Sequence, residues 1–267
     1  MRQLRLSLIL LALLFIARPV WADPHPGTKP LKLEGDITSQ LVDGVDRFLL
    51  RQLAESIDKR AAHWKRDLTS PQAYIKSVAP NRARLAEITG VVDERVTFED
   101  IDALQVIVKG GNPFVVRGGT VRITNIRWKS VRNLHGEGLL LQPANGANTS
   151  KPVIIVIPDA DQTPEMLCGL SEGLPPEQQY ARRLAESGCR VFVPSIISRY
   201  YEARNGRAKM TSREFSYRSA YELGRHLIGY EIQKILSLLD ECDRKLDGDE
   251  SRYAVMGWGE GDRKSVV

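Results

Sequence analysis

Gly257-Trp258-Gly259-Glu260-Gly261 follows directly on a β-rich run at 252–256, and no other stretch of the chain is better placed to do chemistry. Glycines flanking a middle residue let the backbone reverse sharply without side-chain clash. Gly259 occupies that middle position and supplies no reactive atom. The Glu260 carboxylate could serve as nucleophile or base, but a turn of this shape aims it away from the position it presents. A dinucleotide-binding reading, Gly-x-Gly-x-x-Gly, fails at its sixth residue, Asp262. A plain tight turn is the third reading.

Other reactive residue types are scattered. Asp159, Asp161 and Glu165 offer oxygen ligands to a hard cation, but three acids in a turn more often cap helices or stay solvated, so no metal is expected. Ser195 and Ser198 follow a strand, where loop serines usually bond the local backbone. Cys168, Cys189 and Cys242 lack metal-ligand spacing and sit in apolar settings, which predicts free thiols acting as small hydrophobes. Arg213, Glu214, Arg218, Glu222 and Arg225 include three- and four-residue spacings that predict exposed ion pairs along a helix. His226, beside Arg225, reads as a packing or ion-pair residue of that helix.

The elements that must position these residues follow from periodicity. Apolar positions from Leu41 to Trp64 recur at spacings of three and four, predicting an amphipathic helix from Thr38 to about Lys65. A second helix is expected over 71–89, broken or kinked at Pro80. Runs at 104–109, 115–116, 120–128 and 138–142, divided by glycines, predict antiparallel strands, and 143–150 is a loop by composition. Val153-Ile154-Ile155-Val156-Ile157 is an unbroken β-branched run, the mark of a strand buried on both faces. A helix at 176–187, a strand at 190–194, a long helix at 212–243 and a strand at 252–256 complete a βαβ alternation. That alternation builds a right-handed parallel sheet.

Several stretches resemble, in order, the acetyl-xylan esterase and dienelactone hydrolase branch of the α/β-hydrolase superfamily. They are 136–143 (Gly-Glu-Gly-Leu-Leu-Leu-Gln-Pro), 158–162 (Pro-Asp-Ala-Asp-Gln), Val193-Pro194, 213–218 (Arg-Glu-Phe-Ser-Tyr-Arg) and 224–231 (Gly-Arg-His-Leu-Ile-Gly-Tyr-Glu). The resemblance covers about Val96 to Gly261. It implies an α/β fold, a hydrolase-like sheet with helices on both faces. It also implies an ester hydrolase ancestry with serine, acid and histidine in that chain order, acting on an ester or carbohydrate ligand, and no metal or organic cofactor. The glycine-rich turn then corresponds to the nucleophile elbow, Gly-x-Ser-x-Gly, with Gly259 in the serine's place. Backbone N–H groups of Glu260 and of Asp159 or Ala160 become the candidate oxyanion donors. The chain departs from the pattern twice: the serine is absent, and His25, His63, His135 and His226 all precede the turn.

The ends carry their own signals. A basic start (Arg2, Arg5), an apolar run of 11 residues (6–16) and Val20-Trp21-Ala22 predict a cleaved secretory signal, hence a secreted or periplasmic protein. The run is too short for the roughly 20 residues of a spanning helix. The formal net charge of +5 includes three arginines of the signal and one net charge at 262–264, leaving the body near +1. A body so nearly neutral gives no case for nucleic acid. The expected organisation is a signal at 1–22, a linker at 23–37, a helical segment at 38–95 and an incomplete hydrolase-like domain at 96–261. The last six residues, Asp-Arg-Lys-Ser-Val-Val, resemble translated read-through of a sequencing adapter, so 262–267 are expected to be non-native and the domain to be cut short at its C-terminal side. Two functions are expected: a decayed ester hydrolase, inactive as given, or a binding or scaffold protein that kept the fold.

Overall fold

The computed structural model describes residues 25–96, 104–106, 114–144, 152–204, 208–245 and 253–265. The signal at 1–22, residues 107–109 of the first expected strand and 145–150 of the expected loop lie outside them. The chain divides into two units, residues 1–63 and 64–267. In the first, helix α1 (Ile37–Ala61) covers most of the expected 38–65 stretch. Its N-cap is Asp36, whose carboxylate accepts the Ser39 N–H at 3.1 Å and so satisfies one of the free donors of the first turn.

The second unit opens with α2 (Pro71–Thr89), capped by Ser70, which accepts the Ala73 N–H at 3.1 Å. Pro80, expected to break or kink this stretch, lies inside one uninterrupted helix, because losing a single backbone bond leaves the neighbouring rungs in place.

Strands β1 (Leu104–Val106), β2 (Phe114–Gly118), β3 (Val121–Val131), β4 (Leu134–Pro143), β5 (Val153–Ile157), β6 (Arg190–Pro194), β7 (Tyr201–Arg204), β8 (Ala208–Thr211) and β9 (Tyr253–Gly257) follow. Seven of them form one sheet in the order β1-β3-β4-β6-β5-β9, with β2 also pairing β3, while β7 and β8 form a separate hairpin. The first half is antiparallel through β4–β6, and β6, β5 and β9 run parallel. Both parts of the expected sheet are therefore present. Strand β9 lies at the edge, and its Val255 and Met256 are each 38% exposed.

Two apolar layers sandwich the sheet. On one face Ile123, Leu139, Leu141, Val156, Val191 and Val193 pack against α3 (Pro164–Cys168) and α4 (Tyr180–Glu186). The small Ala181 and Ala185 let α4 lie close on the strands. On the other face Ile126, Trp128, Ile155, Ile157 and Phe192 pack against Ile235, Leu238 and Cys242 of α6 (Leu227–Lys245). Burying Leu238 completely stabilises the fold by about 2 kcal/mol. Among the described residues Cys168, Cys189 and Cys242 form no disulfide, and burial pushes the Cys168 thiol up to about 12.

Three expectations are corrected. The long helix over 212–243 is two helices, α5 (Ser212–Glu222) and α6, because Gly224 adopts a left-handed φ of +69° that ends the first. The helix at 176–187 contracts to α4 behind a 3-10 turn at Pro176–Gln178. The polar stretch after β6 contains the β7–β8 hairpin. A last helix, α7 (Glu260–Ser265), begins at the glycine-rich turn.

Candidate functional site

The C-terminal ends of β5, β6 and β9 lie along one margin of the sheet, since the three strands are parallel. In open α/β sheets, ligands bind outside these strand ends. The turn after β9 and the segment after β5 meet there.

Close packing explains the glycines of the turn. A Cβ on Gly257 would lie 2.5 Å from backbone atoms of Gly261 and Asp262, and one on Gly261 would lie 2.4 Å from the Ile157 carbonyl oxygen. Side chains at either position would push the turn off the sheet. Gly259, between them, has a left-handed φ of +59°. Trp258 is 67% exposed beside it.

Of the sequence-predicted donors, two converge and one does not. The N–H of Glu260 and the N–H of Ala160 both donate to one acceptor, Oδ1 of Asp159, at 2.9 and 2.8 Å. The Asp159 N–H turns elsewhere and donates to the Gln162 carboxamide at 3.3 Å. Tyr180 completes this layer with its hydroxyl 3.4 Å from the same Gln162 oxygen. Burial beside Asp159 pushes the Tyr180 phenol up to about 12.

The Glu260 carboxylate faces away from Gly259. Oε2 accepts from Arg199 at 2.8 Å and Oε1 from Arg213. Arg199 also reaches Asp161 at 3.2 Å, and Arg213 reaches the buried Glu231 of α6 at 3.2 Å. Lys264 adds contacts of 2.9 Å to Glu231 and 3.3 Å to Glu260. Arg213, expected as an exposed helix pair, is instead a half-buried tie between α5, α6 and the turn. Only Glu214 and Arg218 form the expected exposed pair, at 2.7 Å, while Arg225 crosses to Asp93.

The remaining candidates take other roles. Ser195 uses its backbone N–H to close onto the Glu137 carbonyl at 2.7 Å. His226, expected within a helix, lies in the connection between α5 and α6, its ring edge against Tyr217 at 5.1 Å. Asp159 sits on backbone donors, Asp161 on Arg199 and Glu165 in the first turn of α3. Among the described residues no three His, Cys, Asp or Glu side chains form a metal-holding group. A cleft of about 500 Å³ opens next to Glu260, lined by Arg199, Arg213, Glu214, Tyr217 and His226.

The arrangement can be set beside solved structures. A Bacteroides fragilis protein assigned as an acetyl xylan esterase superposes with a TM-score of 0.52 and 18% identity, over 76% of this chain and 51% of its own. The fold is that of an α/β-hydrolase. An acetyl xylan esterase from Paenibacillus sp. R4 is also similar, at 14% identity and a TM-score of 0.40, over 75% of this chain and 56% of its own. A glucuronoyl esterase from Solibacter usitatus aligns at 13% identity and a TM-score of 0.41, over 72% and 55%. The chain thus spans about half the length of these α/β-hydrolase-fold structures. No family model and no curated protein matches it.

Sequence reasoning missed Arg199 and Arg213 as partners of Glu260, and no local signal marks them. They matter for the charge state of this margin of the hydrolase fold. Burial alone would raise the Glu260 carboxyl, but Lys264, Arg213 and Arg199 outweigh it and hold the group below its ordinary range. Asp159 is likewise held low, its burial outweighed by the Glu260 and Ala160 N–H groups and by Arg199. Depressed carboxyls stabilise the fold above their unfolded values and lose that effect as pH falls through the folded ones. The expected result is an unfolding midpoint that drops as pH falls below about 4, and drops less steeply in Asp159→Asn. Equal slopes for both proteins in thermal melts would contradict this.

Proposed function

We propose that this chain is part of an exported relative of carboxylic and acetyl-ester hydrolases whose nucleophile elbow has lost its serine, so that as given it does not hydrolyse esters. The observation that carries the reading is Gly259, at φ +59° in the middle of a turn whose outer glycines admit no side chain. That is the backbone an elbow requires, without the oxygen that attacks a carbonyl. The likeness to the Bacteroides fragilis protein assigned as an acetyl xylan esterase supports an ester or carbohydrate as the ancestral ligand. The apolar run at 6–16 supports export, and among the described residues no helix is long and apolar enough to cross a membrane.

A second reading, a binding or scaffold protein that retained the fold, is favoured by one observation. The two N–H groups that would stabilise an oxyanion are already occupied by Asp159.

The test is hydrolysis of short acyl esters such as 4-nitrophenyl acetate by the purified chain. No rate above buffer is expected. A rate abolished by Glu260→Gln would overturn the reading, since Glu260 would then be the reactive group.

A further inference from the structure

The space that a serine would need at position 259 is already filled. A Cβ built on Gly259 falls 2.7 Å from Asp159 Cγ and 2.8 Å from each carboxylate oxygen, closer than real Cβ atoms come to anything. The carboxylate cannot simply swing aside, because Oδ1 is the shared acceptor of the Glu260 and Ala160 N–H groups. Rotating it out would leave two partly buried donors without a partner.

We propose that Asp159 is the resident occupant of this turn: its carboxylate fills the place of a side chain at 259 and of a reacting oxyanion together, so Asp159 and any side chain at 259 exclude one another. This rests on reading the turn as an elbow, and it changes what that reading implies. Hydrolysis is blocked by two linked features rather than one, for serine at 259 would meet the carboxylate while both oxyanion donors stayed engaged. Gly259 is then required by Asp159. Asp159 acts here as a positioning residue, strapping the segment after β5 to the turn after β9.

A double-mutant cycle on thermal unfolding tests the exclusion. Gly259→Ser alone is expected to lower Tm by about 5 °C or more, from overpacking in a chain of this size. Asp159→Ala alone removes the strap and lowers Tm by a few degrees. In the Asp159→Ala background, Gly259→Ser should cost less than half of what it costs in the unaltered chain, since only the φ strain remains. Additive losses would overturn the proposal. Hydrogen exchange guards against a variant that fails to fold. In the unaltered chain the amides of Glu260 and Ala160 should be protected, and Asp159→Ala should speed both by tenfold or more; unchanged rates would sink the idea. Neither readout involves ester hydrolysis. Coupling without activity in any variant leaves this inference standing, whereas activity with additive Tm losses removes it and speaks separately to the esterase ancestry.

Discussion

Arg213→Met is expected to destabilise the second unit by about 2–3 kcal/mol, several times more than Arg218→Met on the same helix. Glu231, with its side chain 1% exposed, accepts the Ile197 N–H at 3.0 Å and Arg213 at 3.2 Å through one oxygen. Removing the guanidinium strands a buried carboxylate, and it loosens Glu260 at the same moment. The Lys264 contact to Glu231 softens the loss, which places it at the lower end of what breaking a buried pair costs. Arg218 and Glu214 are an exposed pair at 66% and 44%, so screening by water leaves them worth well under ~1 kcal/mol. Urea unfolding of the two variants side by side measures the difference. Equal shifts would mean that Arg213 is only a surface charge.

A second large effect is expected at Gly136. It pairs with Trp128 across β3 and β4, and a Cβ there would fall 2.1 Å from the indole Cε2 and 2.5 Å from Nε1. The ring has little room to retreat: Trp128 is 1% exposed, packed with Ile126 and Ile235, and its Nε1–H donates to the Lys234 carbonyl at 2.8 Å. Gly136→Ala therefore forces either the ring or the β4 backbone to move, at about 3 kcal/mol or more. The near-ultraviolet circular dichroism of the buried indole and the unfolding midpoint report the change together. Trp128→Phe in the same chain should recover part of the loss, because the smaller ring vacates the region nearest the new methyl. A midpoint unaltered by Gly136→Ala would show that the strand pair adjusts at no cost.

What could be read from the residues divides along the range of the interactions. The β-branched run at 153–157 predicts a doubly buried strand because burial on two faces leaves a local signature, and β5 is that strand. The glycine pattern at 257–261 likewise marks a turn that backbone crowding then explains. The break at Gly224 was hidden because apolar periodicity continues on both sides of it, and a glycine in a helical pattern does not by itself announce φ > 0. Arg213 looked like a surface pair because its neighbours at helical spacing are charged, whereas its partners, Glu231 and Glu260, lie 18 and 47 residues further on. The contact between Asp159 and Glu260 spans 101 residues, so no window of the chain contains it. The sequence offers Asp159 as a backbone donor or a cation ligand, whereas in the structure its carboxylate accepts from the turn.

Strand β9 has consequences for how long the candidate site keeps its shape. Among the described residues its pairing runs along β5, through five residue pairs from Tyr253 to Gly257, at the margin of the described sheet. A strand hydrogen-bonded on one side opens locally at lower free energy than one held on both. The turn at 257–261 rides on the end of that strand, so each local opening of β9 dissolves the site while β5 and the strands beyond it stay folded. The persistence of the site is then set by one ladder of backbone bonds, the Asp159 carboxylate and the grip of Arg199 and Arg213 on Glu260, rather than by the stability of the fold as a whole.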